Sequence, residues 1–188
     1  GSWRYVPFAQ DSDMSITVCQ VQALRAARNV GLRVPRTTID RAIAYIKDSA
    51  ITHGPERGSF KYQPQFHTRS SYALTAAAIA ALHGAGVYED ADIERGLDYL
   101  QTRHRAFWRG YRNSYFYYYG HYYAVQAMFI AGGRHWQEYF PRVSSELLAA
   151  QQPDGSWPND IGPGPVFGTA AACIILQIPL HYLPIFQR

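Results

Sequence analysis

Three apolar, helix-patterned segments each run into a glycine, and their recurrence restricts the fold more than any other feature. Residues 23–28 (ALRAAR) lead to Gly31, residues 78–83 (AIAALH) to Gly86, and residues 124–129 (AVQAMF) to Gly132. The three glycines stand 55 and then 46 residues apart. A second helical segment follows each one, over residues 38–49, 91–102 and 137–152. A fourth unit starts at Gly168 and stops in Leu183-Pro184. Self-similarity at such a period is the mark of stacked supersecondary units.

The two helices of each pair differ in kind. Residues 71–82 (SYALTAAAIAAL) are apolar all round, and a helix of that sort is buried among others. Ile39, Ile43 and Ile46 share one face of their segment, and Asp40, Arg41, Lys47 and Asp48 take the other. Ile93, Leu97 and Leu100 oppose Asp92, Glu94, Arg95 and Asp98 in the same way. Spacings of three and four are helical. Sheltered helices alternating with amphipathic ones imply an inner and an outer layer. The expected fold is therefore all-α: a curved array of helical hairpin repeats over residues 1–188, an α-solenoid or an α/α toroid, with about three and a half hairpins forming a partial ring. Gly31, Gly86 and Gly132 are expected helix C-caps, where glycine takes the left-handed conformation cheaply. The inner helices are expected to start near Asp13, Arg69, Tyr117 and Phe167. One departs from the rule: Gln22, Arg25 and Asn29 stripe the first helix, with Arg28 beside them, as at an array edge or a partner surface.

The loops repeat as well. Gly1-Ser2-Trp3-Arg4-Tyr5 reappears as Gly58-Ser59-Phe60-Lys61-Tyr62, and Gly155-Ser156-Trp157 echoes both. An aromatic side chain at that point can plug the gap between neighbouring hairpins.

Residues 115–123 (YFYYYGHYY) hold the densest chemistry. Seven of the nine are aromatic, and they run straight into an apolar helix. Tyr117, Tyr118 and Tyr122 are candidates for lining a hydrophobic site, with Trp157, and His121 is a candidate acid or base. The alternative is packing between hairpins, with phenol hydroxyls reaching water or backbone. Arg103, Arg105, Arg109 and Arg112 cluster with His104, Phe107, Trp108 and Tyr111, a mixture able to hold phosphate; a solvated loop is the expectation, and no nucleic-acid partner. Net charge is only +4, and no apolar run approaches the roughly 18 residues of a candidate membrane span. Cys19 and Cys173 form no disulfide framework and read as small buried hydrophobes.

Gln151-Gln152-Pro153-Asp154-Gly155-Ser156-Trp157 resembles the Gln-Trp repeat motif of the squalene–hopene and oxidosqualene cyclases, and Gly58-Ser59-Phe60 resembles a degenerate copy. The α/α toroid is shared with protein prenyltransferase β subunits. The likeness is greatest to bacterial proteins with prenyltransferase/squalene-oxidase repeats. The resemblance implies Gln151, Gln152, Gly155, Trp157, Gly58 and Phe60 as links between hairpins. It also implies an isoprenoid or other hydrophobic ligand as partner, with rings stabilising cations. A class II cyclase protonates an alkene with an Asp-x-Asp-Asp acid, and Asp11-Ser12-Asp13-Met14 matches it at Asp11 and Asp13 but not at Met14. Asp13 is equally placed to be an N-cap, as is Ser15. The prenyltransferase zinc set of Asp, Cys and His does not match the spacing of Asp13 and Cys19, so neither metal nor cofactor is expected. A peptide-binding scaffold and a carbohydrate-processing toroid are the alternatives, the latter lacking a clear carboxylate pair. Because the hairpins make only an arc, either a homodimer or a preceding half-toroid is expected to complete it.

Overall fold

The computed structural model describes residues 1–65, 69–107 and 116–182, with 105–107 described by backbone alone. Trp108, Arg109, Tyr111, Arg112, Tyr115, Leu183 and Pro184 lie outside the described residues, as do the side chains of Arg105 and Phe107, so most of the basic cluster falls there. Among the described residues are seven α-helices and no strand: α1 Met14–Asn29, α2 Arg36–Asp48, α3 Tyr72–Gly84, α4 Ala91–Phe107, α5 Tyr117–Ala131, α6 Gly133–Ala150 and α7 Pro165–Gln177. A 3-10 turn, Ile178–Leu180, follows α7. None of these helices is long and apolar enough to cross a membrane. The chain divides into two compact units, Gly1–Leu100 and Gln101–Arg188.

In the first unit α3 is the buried element, from Tyr72 to His83 without a break. Six of its residues are alanines, and short side chains allow neighbouring helices to approach closely. α1 packs on it through the face that carries Met14, Val18 and Val21. Residues 91–100 of α4 add Ile93, Leu97 and Leu100, as the periodicity predicts, whereas α2 adds Ala42, Tyr45 and Ile46, and Ile39 and Ile43 of its expected face are only half-buried. Gly96 allows α4 to press on α3, since a methyl there would sit 2.7 Å from Ile79 Cδ1. Cys19 departs from expectation. It is exposed, because it lies off the α1 stripe formed by positions 14, 18 and 21. Cys173 is half-buried.

In the second unit α5 is buried from Tyr117 to Ile130 except at Tyr119, Tyr122 and Phe129, and packs on α6 and α7. Its junction with α6 differs from the expected cap and loop. Gly132 has φ 68 and ψ −155, not the left-handed helical pair, and α6 begins at the next residue. Two glycines at positive φ reverse the chain with no intervening loop, which starts α6 four residues before the predicted segment. At Gly31 and Gly86 the left-handed φ is present, +86 and +91.

One loop device recurs in both units. The backbone N–H of Trp3 donates to Thr17 Oγ1 at 3.1 Å, that of Phe60 to Thr75 Oγ1 at 3.1 Å, and that of Trp157 to Thr169 Oγ1 at 3.0 Å. Each threonine lies in the opening turns of the helix that the loop leads into. Thr17 and Thr75 also donate back to the carbonyls of their N-caps, Asp13 and Ser71, both at 2.8 Å. The hydroxyl thus satisfies a loop N–H while tying itself to the helix start. The Gln-Trp loop is further pinned by the Trp157 indole N–H on Leu147 O, 2.7 Å, and by Gln151 Nε2 on Gly155 O, 3.0 Å. Gln152 accepts the Gly155 N–H on its own carbonyl at 2.9 Å and donates its N–H to Ser156 O at 2.8 Å. In the Gly58 loop Ile51 N–H donates to Ser59 O, and Gly58 N–H to Ile51 O, both at 2.8 Å.

Candidate functional site

Asp13 and Asp11, the cyclase-like pair, lie in the first unit. Asp13 has no exposed surface. Its Oδ1 accepts from Ser15 N (2.8 Å), Ser15 Oγ (2.6 Å) and Ile16 N (3.3 Å), an N-cap for α1. Oδ2 accepts from the Tyr62 phenol and lies 3.8 Å from Arg4 Nη1. Arg4 Nε is 3.3 Å from Asp11 Oδ2, so one guanidinium bridges both carboxylates. Burial, with the hydrogen bond to Asp13 and the charge there, pushes the Tyr62 phenol up to about 12. Both oxygens of Asp13 are thus taken up inside the fold, one by the α1 cap and the other by Tyr62 and Arg4. Met14, at the place of the third cyclase carboxylate, is fully buried in the core.

An open cleft of about 600 Å³ lies beside this carboxylate pair, walled by residues 2–12 and Gln65. Its wall mixes polar and apolar residues, and three large apolar side chains of it extend into solvent. Tyr5 is 72%, Val6 62% and Phe8 96% exposed. Phe8 also holds φ 60, a conformation that costs a bulky residue about 1–2 kcal/mol.

The tyrosine-rich stretch lies in the second unit and faces inward. Tyr117, Tyr118 and Trp157 are 5%, 6% and 4% exposed, and their polar atoms have internal partners. The Tyr117 hydroxyl donates to Glu146 Oε2 at 3.2 Å and that of Tyr118 to Pro158 O at 2.9 Å. Tyr118 and the backbone of Trp157 meet at Gly168, whose added methyl would lie 3.2 Å from each. Tyr122 is half-buried, with its ring 4.9 Å from that of Tyr123. These positions do what packing between helices requires.

His121 sits in a cluster that neither motif nor spacing announces. It is fully buried, with Nδ1 2.6 Å from the Tyr139 hydroxyl and its ring 4.6 Å from that of Tyr117. Burial, and then the neighbouring His104, holds its imidazole well below the usual range, so the ring is neutral. His104 Nε2 is 3.5 Å from Glu146 Oε2, and both residues are buried. Donor atoms of His104, His121 and Glu146 all lie within 4.8 Å of one another. α4, α5 and α6 contribute one residue each. Glu146 did carry a signal: on α6 it shares the stripe of Tyr139, Val143 and Ala150, where a carboxylate is out of place unless it has partners inside. His104 stood in the basic stretch and was read with it.

Comparison of the chain with family models, with curated proteins and with solved structures returned no match.

Proposed function

We propose that the chain is built from toroid-type helical hairpins of the terpenoid cyclase and prenyltransferase kind, and that it binds a linear isoprenoid or similar hydrophobic ligand in the cleft beside the start of α1 without protonating it. The observation that carries this reading is the rim of that cleft. An aromatic side chain 96% exposed and held at positive φ is costly to keep unless something covers it. The recurring hydroxyl latch behind each Gly-Ser-aromatic loop supports the hairpin part, since the same link joins three loops to three helices. Arg4 and Asp11 stand in the same wall as the exposed Tyr5, Val6 and Phe8, a mixture suited to a hydrophobic ligand with a hydrophilic head. The binding-only part follows from Asp13. Its two oxygens are occupied by the α1 cap, Tyr62 and Arg4, whereas an alkene-protonating acid needs a proton free to give to the ligand.

Trp3 in the cleft wall makes intrinsic fluorescence a direct reporter. Titration with farnesyl diphosphate and with squalene should give saturable quenching and no cyclised product. Tyr5→Ser with Phe8→Ser removes only exposed rings and should weaken binding roughly 10- to 100-fold, the equivalent of covering one aromatic side chain. Absence of saturable binding, or affinity unchanged in the rim variant, refutes the ligand reading. A cyclised product that disappears in Asp13→Asn refutes the binding-only part.

A further inference from the structure

We propose that His104, His121 and Glu146 form a site for one divalent transition-metal ion, Zn²⁺ by preference, joining α4, α5 and α6 in the core of the second unit. Two imidazoles and one carboxylate are a ligand set for zinc and its neighbours, and the absence of a thiolate among them disfavours softer ions. The geometry is close to what an ion needs. With bonds of about 2.0–2.1 Å, the edge of a tetrahedron is about 3.4 Å, and His104 Nε2 lies 3.5 Å from Glu146 Oε2. All three donor atoms lie within 4.8 Å of one another, so a small inward shift closes the set.

The surroundings are those of a ligand shell. A metal-bound histidine is held by what its other nitrogen touches. Here Tyr139 Oη lies 2.6 Å from His121 Nδ1, where it can accept the Nδ1 proton and direct Nε2 to the ion. The Tyr117 hydroxyl, 3.2 Å from Glu146 Oε2, orients the carboxylate in the same manner. The ligands come from three helices, with His104 and Glu146 separated by 42 residues, so an ion would act as a cross-link. Burying an acidic side chain beside two imidazoles is expensive, and a divalent cation held by all three would offset that cost. The site lies among different residues from the α1 cleft, and its test does not depend on the ligand reading there.

The experiment uses the tag-free full chain, stripped with a chelator and then titrated with Zn²⁺ and with Co²⁺. The expected result is one ion per chain by native mass spectrometry, a raised melting temperature, and the intense visible absorption of four-coordinate Co²⁺. Glu146→Gln and His104→Gln preserve volume and should weaken uptake on the order of 100-fold or more. If those variants fail to fold, the Co²⁺-loaded wild-type chain carries the test through hyperfine-shifted ring protons from His104 and His121. No ion bound, uptake unchanged in Glu146→Gln, or shifted signals arising from other histidines overturns the site.

Discussion

Replacing Thr75 by valine isolates the loop latch from packing. Thr75 is fully buried, and its hydroxyl accepts the N–H of Phe60, itself without exposed surface. Valine fills the same volume and leaves that N–H without an acceptor, at a cost of about 1–3 kcal/mol. Of the two bonds lost, the one to the Ser71 carbonyl orphans nothing, because the Thr75 N–H still reaches that carbonyl at 3.0 Å, so the unpaired Phe60 N–H sets the magnitude. Thr75→Ser keeps the hydroxyl and deletes one methyl, a loss of about 0.5–1.5 kcal/mol. Valine should therefore destabilise more than serine, although by volume alone the order reverses. For a unit of this size the valine variant should melt on the order of 5–20 °C lower, read by circular dichroism. Hydrogen exchange at the Phe60 amide should accelerate in the valine variant only. If valine is no worse than serine and that amide stays protected, the latch does not hold the loop. Thr169→Val should cost less, because Thr169 is only half-buried.

Two glycines at nearly equal φ separate backbone strain from collision. Gly86 has φ +91 and open space around an added methyl, so Gly86→Ala should cost about 1–2 kcal/mol. At Gly58 φ is +92 and the methyl would lie 2.5 Å from the Arg95 carbonyl oxygen, so Gly58→Ala should cost at least twice as much in urea unfolding; equal midpoints would show that α4 yields freely there. The Tyr62 phenol gives an alkaline signature. Its folded value of about 12 exceeds the ordinary 10.0, so the folded chain keeps a proton that the unfolded chain releases. That contribution is complete below about pH 10 and fades as pH rises through about 12, with stability falling in between. Unfolding followed across that window should steepen with pH by up to one proton relative to Tyr62→Phe, and parallel profiles would contradict the assignment.

The burial of whole helices and of single helix faces was legible in the sequence where it is periodic. α3 and α5 read as apolar all round, and both are buried; α4 read as one-faced, and Ile93, Leu97 and Leu100 are inside. Gly31 and Gly86 read correctly because φ is a local demand. What pattern reading missed depends on partners far apart in the chain. The latch threonines answer amides 12 to 15 residues away, and no periodicity marks a hydroxyl that is needed by a loop. Glu146 and His104 come from different helices, and nothing in either local sequence names the other. The sequence around Asp13 suits both a cap and an acid, and in the structure its cap bonds are present. Cys19 shows the limit of composition: hydrophobic on average, it lies on whichever face the helix gives it.

The paired bonds between Ile51 and the Gly58–Ser59 backbone pinch the chain shut at the neck of an exposed tip, residues 52–55. Inside it the Glu56 carboxylate accepts from the Tyr99 hydroxyl of α4 at 2.7 Å, and residues 52–55 lie beyond both ties. A guest polypeptide spliced between His53 and Gly54 would leave the neck at its present width, and lengthening the guest would add only the slowly growing entropy of a longer loop.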